Sequence, residues 1–395
     1  LGLVPLSYAL RSASRTSAAG GRQRGALRAS RASAVDAGPQ GGAADRAIHE
    51  TDSFVARKAA LVEGLRREYT SFFQPMEENL YAPGVTFSDP LISLEGVSAY
   101  KNNVNMLAGD SMLGKILFTD CGLVMHNVTT DSPESRTLCT RWTLQFRFKL
   151  LPWQPLAQFT GISQYTLDDE ARVLRQEDFW DSINLEAGGT YKPAGKAAGL
   201  LDMLKQFGPR IERRTAARQE LRHDLLRRAA RYEVRRYPEY LAVGTECEPW
   251  EGGILKVFAD ASFAASVAKE LTPQDPLIIL AASDAGKPRR VRVPLRELPS
   301  ASEMLVSTSL NGTDVSSRLE RLPQQVVAMM PLSEKPTPEA ILKSSSMLKA
   351  LVEADGLKAA DIPADLAIFG NAGDSERARF EIWLILEMHP WNESQ

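Results

Sequence analysis

The chain has 395 residues, 44% of them hydrophobic, and its 47 basic and 49 acidic side chains leave a formal charge of −2. That length exceeds what one core usually serves and points to two domains. The near-neutral balance excludes a global field for nucleic acid, and no apolar run reaches the roughly 18 residues a spanning helix needs. Cys121, Cys139 and Cys247 have neither the count nor the spacing of a disulfide framework or a zinc cluster, so they read as buried thiols and no metal site is expected.

From residue 1 to about 48 the chain is rich in Ala, Ser, Gly and Arg, and six arginines, from Arg11 to Arg31, precede the first acidic residue, Asp36. Such a segment cannot bury enough apolar surface to fold alone, and the Arg-rich, acid-poor balance is that of an organellar transit peptide. Its opening, LGLVPLSYAL, reads as the end of a secretory h-region, as in a bipartite plastid signal.

A first domain is expected over 51–185. Phe54, Leu61, Leu65, Tyr69 and Phe72 recur at helical steps, predicting one amphipathic helix between Phe54 and Phe73. Phe87-Ser-Asp89-Pro90 signals a chain reversal. Arg141–Leu150 alternates, with Trp142, Leu144, Phe146, Phe148 and Leu150 on one side and Arg141, Thr143, Gln145, Arg147 and Lys149 on the other, as a half-buried strand with one wet face does. Further alternation over Gln158–Leu167 and Val173–Phe179 suggests an antiparallel meander.

This order of elements resembles the cone-shaped nuclear transport factor 2-like fold. The FSDP turn, Gly96–Tyr100 and Asp178–Ile183 resemble an uncharacterised plant and algal domain of that superfamily. The resemblance implies a pocket between sheet and helices, with Tyr81, Asp89, Tyr100, His126 and Asp178 as candidates for acid or base work. Against that stands a plainer reading of each: Asp89 as a turn former, Asp178 and Asp181 as strand-end residues, His126 as a strand histidine within LVMHNV.

Residues 186–222 read as a linker with a short helix. Gly188, Gly189, Pro193 and Gly195 break the chain, and Leu200, Leu201, Leu204 and Phe207 form a clasp before Gly208-Pro209. The last segment, 223–395, carries a repeat: Arg236-Tyr237-Pro238, leading into an apolar strand, is echoed by Arg321-Leu322-Pro323. A helix is expected after each copy, over Phe258–Leu271 and over Thr337–Asp355, the second with Pro338 in its first turn and Gly356 as its stop. Arg379–Met388 alternates as a half-buried closing strand.

YEVRRYPEYLAV, LPQQVVAMMPLSEKPTPEAI and ARFEIWLIL resemble, in order, segments of the SOUL/heme-binding family, over about His223–His389. The composition of RQELRHDLLRRAA reads as helical, whereas the resemblance implies a strand from near Asp224. The family's Met-Thr-Xaa-Pro-Val strand is replaced by VRVPLREL within Val291–Leu298.

The expected fold class is therefore α+β: a cone of helix and curved antiparallel sheet, followed by a pseudo-twofold, SOUL-like distorted β-barrel with two helices. The resemblance implies heme or another tetrapyrrole as cofactor, held in an apolar groove of Phe263, Val267, Met347, Leu348 and Leu351, with Lys269 and Lys343 at its propionates. On this reading the chain is a plastid tetrapyrrole carrier, soluble or peripheral, and not an enzyme. The alternatives are a small-molecule isomerase or dehydratase in the cone pocket, and a scaffold at a thylakoid or lipid-droplet surface.

Overall fold

The computed structural model describes residues 42–109, 111–208, 221–246, 277–282, 288–295, 317–333, 336–369 and 378–391. Helix α1, Gly42–Thr70, begins earlier than its apolar stripe. It ends at Thr70, and Phe72 and Phe73 follow with left-handed backbones. Strand β1, Tyr81–Ser88, leads into the expected reversal: the Asp89 carboxylate accepts from the Leu91 and Ile92 amides at 2.7 and 2.6 Å, and β2, Ser93–Glu95, pairs back on β1.

Short helices α2, Val97–Leu107, and α3, Met112–Leu117, precede the long strands β3, Phe118–Thr129, β4, Thr137–Phe148, β5, Leu156–Leu167, and β6, Val173–Trp180. The sheet order is β2-β1-β6-β5-β4-β3. The meander is antiparallel as expected, but β1 closes it parallel to β6. Its concave face packs on α1 through Leu61, Leu65, Tyr69, Trp142, Phe146 and Phe159.

The joint follows as α4, Asp181–Asn184, a small hairpin of β7, Leu185–Glu186, and β8, Thr190–Tyr191, and then α5, Lys196–Phe207. Gly188 and Gly189 turn the hairpin with positive φ. The clasp helix docks on the cone: Gly199 lies so close to the Pro90 carbonyl that a Cβ there would stand 2.5 Å from its oxygen. The Gln206 side chain accepts from the Gln158 amide at 2.8 Å.

In the second half, β9, Asp224–Arg228, is a strand despite its helical composition. The repeat forms β10, Glu233–Tyr237, with β11, Tyr240–Glu246, and β14, Ser317–Leu322, with β15, Gln325–Leu332. Tyr237 pairs with Gln325 and Tyr240 with Leu322, so each copy's first strand lies beside the other copy's second. A pseudo-twofold relation is thus built into the register.

Strands β12, Leu277–Ala282, β13, Pro288–Pro294, β17, Asp365–Phe369, and β18, Arg379–Met388, complete the order β14-β11-β13-β12-β17-β18-β15-β10-β9, with β16, Lys358–Ala359, beside β18. Among the described strands the path stays open between β14 and β9, so the expected barrel is not closed. Nor is β18 half-buried. It runs between β15 and β17, with Ile382 and Leu384 in one apolar layer and Trp383 in the other.

Helix α6, Pro338–Ala354, matches its sequence signals: the Thr337 hydroxyl caps the Ala340 amide at 3.1 Å, and Gly356 stops it with φ +75°. Its buried face, with Ile341, Leu348 and Val352, packs on β15 and β18. Leu348 is 0% exposed and Leu351 partly buried, whereas Met347 and Lys343 are on the outer side. These four do not line a common groove, because the face that would form its wall is filled by the sheet. Phe263, Val267 and Lys269 lie outside the described residues.

Leu348→Ala should therefore cost about 2–5 kcal/mol of stability and Met347→Ala no more than about 0.5 kcal/mol. Denaturant titration of both variants checks this; equal losses would place the two side chains in the same environment.

Candidate active site in the cone interior

The alternation of β4, β5 and β6 sends Thr140 and Trp142, Ser163 and Tyr165, and Gln176 and Asp178 to the concave face, where cross-strand pairing sets Ser163 beside Thr140 and Asp178. Helix α1 adds Glu68 and Tyr69, and α2 adds Tyr100. The result is one connected polar cluster inside an aromatic shell. The Tyr100 hydroxyl donates to Gln176 Oε1 at 2.9 Å, and Gln176 Nε2 donates to Asp178 Oδ1 at 2.9 Å. Tyr69 bonds Tyr165 at 2.9 Å, Thr140 at 3.2 Å and Ser163 at 3.3 Å. The Trp142 indole donates to the Ser163 hydroxyl at 2.9 Å. Nearby, the Tyr81 hydroxyl donates to Glu68 at 2.5 Å, and the Glu77 amide donates to its other oxygen at 2.7 Å.

Burial decides the electrostatics. Asp178 keeps partial exposure as a residue, but its carboxyl is enclosed by protein. Desolvation pushes it up to about 7, against the opposing hydrogen bonds from Ser163 and Gln176. Desolvation likewise raises Glu68 to about 7. Tyr69, Tyr81, Tyr100 and Tyr165 are pushed above the ordinary phenol value by burial and remain donors. Asp89 is also raised by burial, but both its backbone bonds serve the turn.

Of the acid–base candidates, Tyr81, Tyr100 and Asp178 share this interior. His126 does not. It lies on the convex side, bonded to Thr143 at 2.8 Å, and burial lowers it to about 4. Sequence reasoning missed Glu68, Tyr165, Ser163 and Gln176, and it placed Tyr69 in the core without a chemical part. Glu68 carried a readable signal, since a carboxylate three residues after Leu65 and beside Tyr69 sits on the apolar stripe of α1.

The convex face of the same strands is covered over part of its area, although Gln164, Thr166 and Arg175 remain exposed. The Thr143 hydroxyl donates to the Leu225 carbonyl at 2.5 Å, and the Arg228 amide donates to Thr160 at 2.7 Å. Asp181 accepts from Thr160 at 2.6 Å and from the Arg141 guanidinium at 3.4 Å. Trp391 lies under the Arg141 and Arg227 guanidiniums, at 5.4 and 5.1 Å. Strand β9 and Trp391 thus cover part of the face that alternation alone assigns to solvent.

The groove expected for a tetrapyrrole is not formed by those of its members that are described, Met347, Leu348, Leu351 and Lys343. In the second half His223 bonds the Leu221 carbonyl and tilts against Tyr237, and His389 faces Trp391. Among the described residues no group of three His, Cys, Asp or Glu side chains could hold a metal ion, and no helix is long and apolar enough to cross a membrane.

Residues 59–176 match the model of an uncharacterised conserved protein family (DUF2358). No curated protein matches the chain in sequence. Among solved structures it is similar to a steroid delta-isomerase from Pseudomonas aeruginosa, at 17% identity, 40% of this chain, 94% of that one and a TM-score of 0.24. An LEH-like epoxide hydrolase from M. tuberculosis follows at 12%, 32%, 84% and 0.25. An NTF2-like protein of unknown function from Cytophaga hutchinsonii stands at 13%, 31%, 89% and 0.23. At these identities and TM-scores the likenesses assign neither fold nor function to this chain, and nothing among these similarities points to the SOUL/heme-binding family. The expectation that the chain is not an enzyme is corrected here: the solved structures similar to it include enzymes. The N-terminal part of the chain is thus an α+β domain whose residues 59–176 match this uncharacterised conserved family.

The raised carboxyls also make stability depend on pH. A native state that holds its proton longer than the unfolded chain is fully favoured below about 4.5, the ordinary glutamate value, and loses that advantage as pH climbs to about 7. For Glu68 the loss is about 3 kcal/mol. Thermal unfolding of wild type and Glu68→Gln between these limits should show a shallower decline in the variant; parallel curves would mean that Glu68 ionises as it does in water.

Proposed function

We infer that the cone interior is a proton-transfer site, and that its chemistry is isomerisation or dehydration of a small, largely apolar molecule with an enolisable carbonyl. The observation that carries this reading is the placement of the Asp178 carboxyl: it faces the interior, is tied through Gln176 to the Tyr100 hydroxyl, and is pushed up to about 7 by burial. A carboxyl of that pKa is populated both as base and as acid at neutral pH, which is the condition for moving a proton from one carbon or oxygen to another.

In such a reaction the Asp178 carboxylate removes a proton next to the carbonyl and returns it elsewhere. Charge then develops on the carbonyl oxygen. The buried phenols, held protonated by desolvation, are donors of the kind that stabilise it. Ser163 and Gln176 set the orientation of the carboxylate from its own and the neighbouring strand position, and the surrounding Phe73, Phe87 and Tyr81 rings keep the interior poor in water.

The test is exchange of α-protons in a panel of small cyclic and acyclic ketones in deuterated buffer, followed by NMR. The expected rate rises with pH through about 7, as the carboxyl ionises. Asp178→Asn should lower it by roughly 10²–10⁴-fold and Tyr100→Phe by less. If no ketone exchanges faster than in buffer, or if Asp178→Asn exchanges as wild type does, the assignment fails.

A further inference from the structure

A second concave site lies where the two halves of the chain meet, away from the cone interior. It is a cleft of about 810 Å³, within the size range of small-molecule sites. The cone contributes Arg147 from the end of β4, Trp153 from the following loop and Leu156 from the start of β5. The second half contributes Leu221, Arg222 and His223 ahead of β9, and both copies of the repeat reach it through Arg236, Pro238 and Gln324. The first Arg-Xaa-Pro turn therefore lines this cleft, and the second copy reaches it through Gln324, the residue after its proline.

Charge and surface indicate the ligand. Arg147, Arg222 and Arg236 face one carboxylate, Asp224. Arg147 is engaged by Asp120 at 3.0 Å and by the Gln154 carbonyl at 2.8 Å. Arg236 donates to the Trp391 carbonyl at 2.6 Å and stands 4.0 Å from Asp224. Arg222 is exposed and has no ion pair among the described residues. In the same cleft, the Trp153 ring is pinned by its N–H to the Phe207 carbonyl at 3.0 Å yet remains 47% exposed. Leu156, Pro155 and Pro238 extend that apolar surface. An uncommitted guanidinium next to a fixed, half-open indole is a recognition pattern for a molecule with an anionic end and an apolar body.

We propose that this cleft binds an amphipathic organic anion, with Arg222 taking its carboxylate or phosphate and Trp153 packing on its apolar part. Because the walls come from both halves, such a ligand also fastens the second half to the cone, and occupancy stabilises the folded chain.

The test is calorimetric titration of the full chain with octanoate, octyl phosphate and octanol. The two anionic arms distinguish carboxylate from phosphate as the preferred head group; octanol should bind at least about tenfold more weakly than the better anion. Arg222→Gln should weaken that anion about tenfold, and Trp153→Ala should weaken all three compounds. Asp178→Asn should leave binding unchanged, so this proposal and the proton-transfer reading fail separately. Octanol binding as well as the anions, Arg222→Gln binding as wild type, or loss of binding in Asp178→Asn would each overturn it.

Discussion

Strand β5 is buried on both faces from Phe159 to Ser163, and the rest of the molecule follows from that constraint. An antiparallel sheet ordinarily keeps one face in water. Here the concave face of β5 gives Ser163 and Tyr165 to the cone interior, while its convex face gives Thr160 to β9 and to Asp181. The polar residues on both sides must be satisfied by protein. The Arg228 side chain bonds the Gln158 carbonyl at 3.0 Å and Gln206 at 3.1 Å, so strand, clasp helix and second half share one network. A strand held in this way has little freedom to shift, and Asp178 is set by pairing with it.

The second half serves that constraint. Its repeat pairs with itself, β10 beside β15 and β11 beside β14, and so presents β9 at an edge of the sheet. An open edge strand is a liability unless it is covered; here the convex face of the cone lies against β9. The Gly188–Gly189 hairpin adds a second tether, since the Gly188 amide donates to the Ala354 carbonyl at the end of α6. The consequence for function is preorganisation: the cone's floor is stiffened from outside, without any group of the second half entering the interior.

Much of this was legible in the sequence wherever one periodicity or one cap decides the outcome. The alternation of β4, the caps of α6 and the paired Arg-Xaa-Pro copies all correspond to elements in the structure. The fate of the wet face of β4 was not legible, because Arg141 and Thr143 look alike whether they meet water or a neighbouring strand. The interior cluster was half legible. Tyr100 and Asp178 were visible as chemistry, but Gln176, which joins them, and Ser163 are ordinary strand residues until the register of β5 against β6 is known. The groove reading failed at Leu348 for a related reason: a helical apolar stripe looks the same facing a ligand or facing a sheet.

The central claim is that the cone interior holds a carboxyl able to exchange a proton at neutral pH. It is tested most directly by following the Asp178 carboxyl carbon by NMR as pH is varied in the full chain, with Asp178→Asn identifying the resonance. The account predicts a titration centred at about 7. A midpoint near the ordinary aspartate value of about 4 would mean that water reaches the carboxyl freely, and would contradict it.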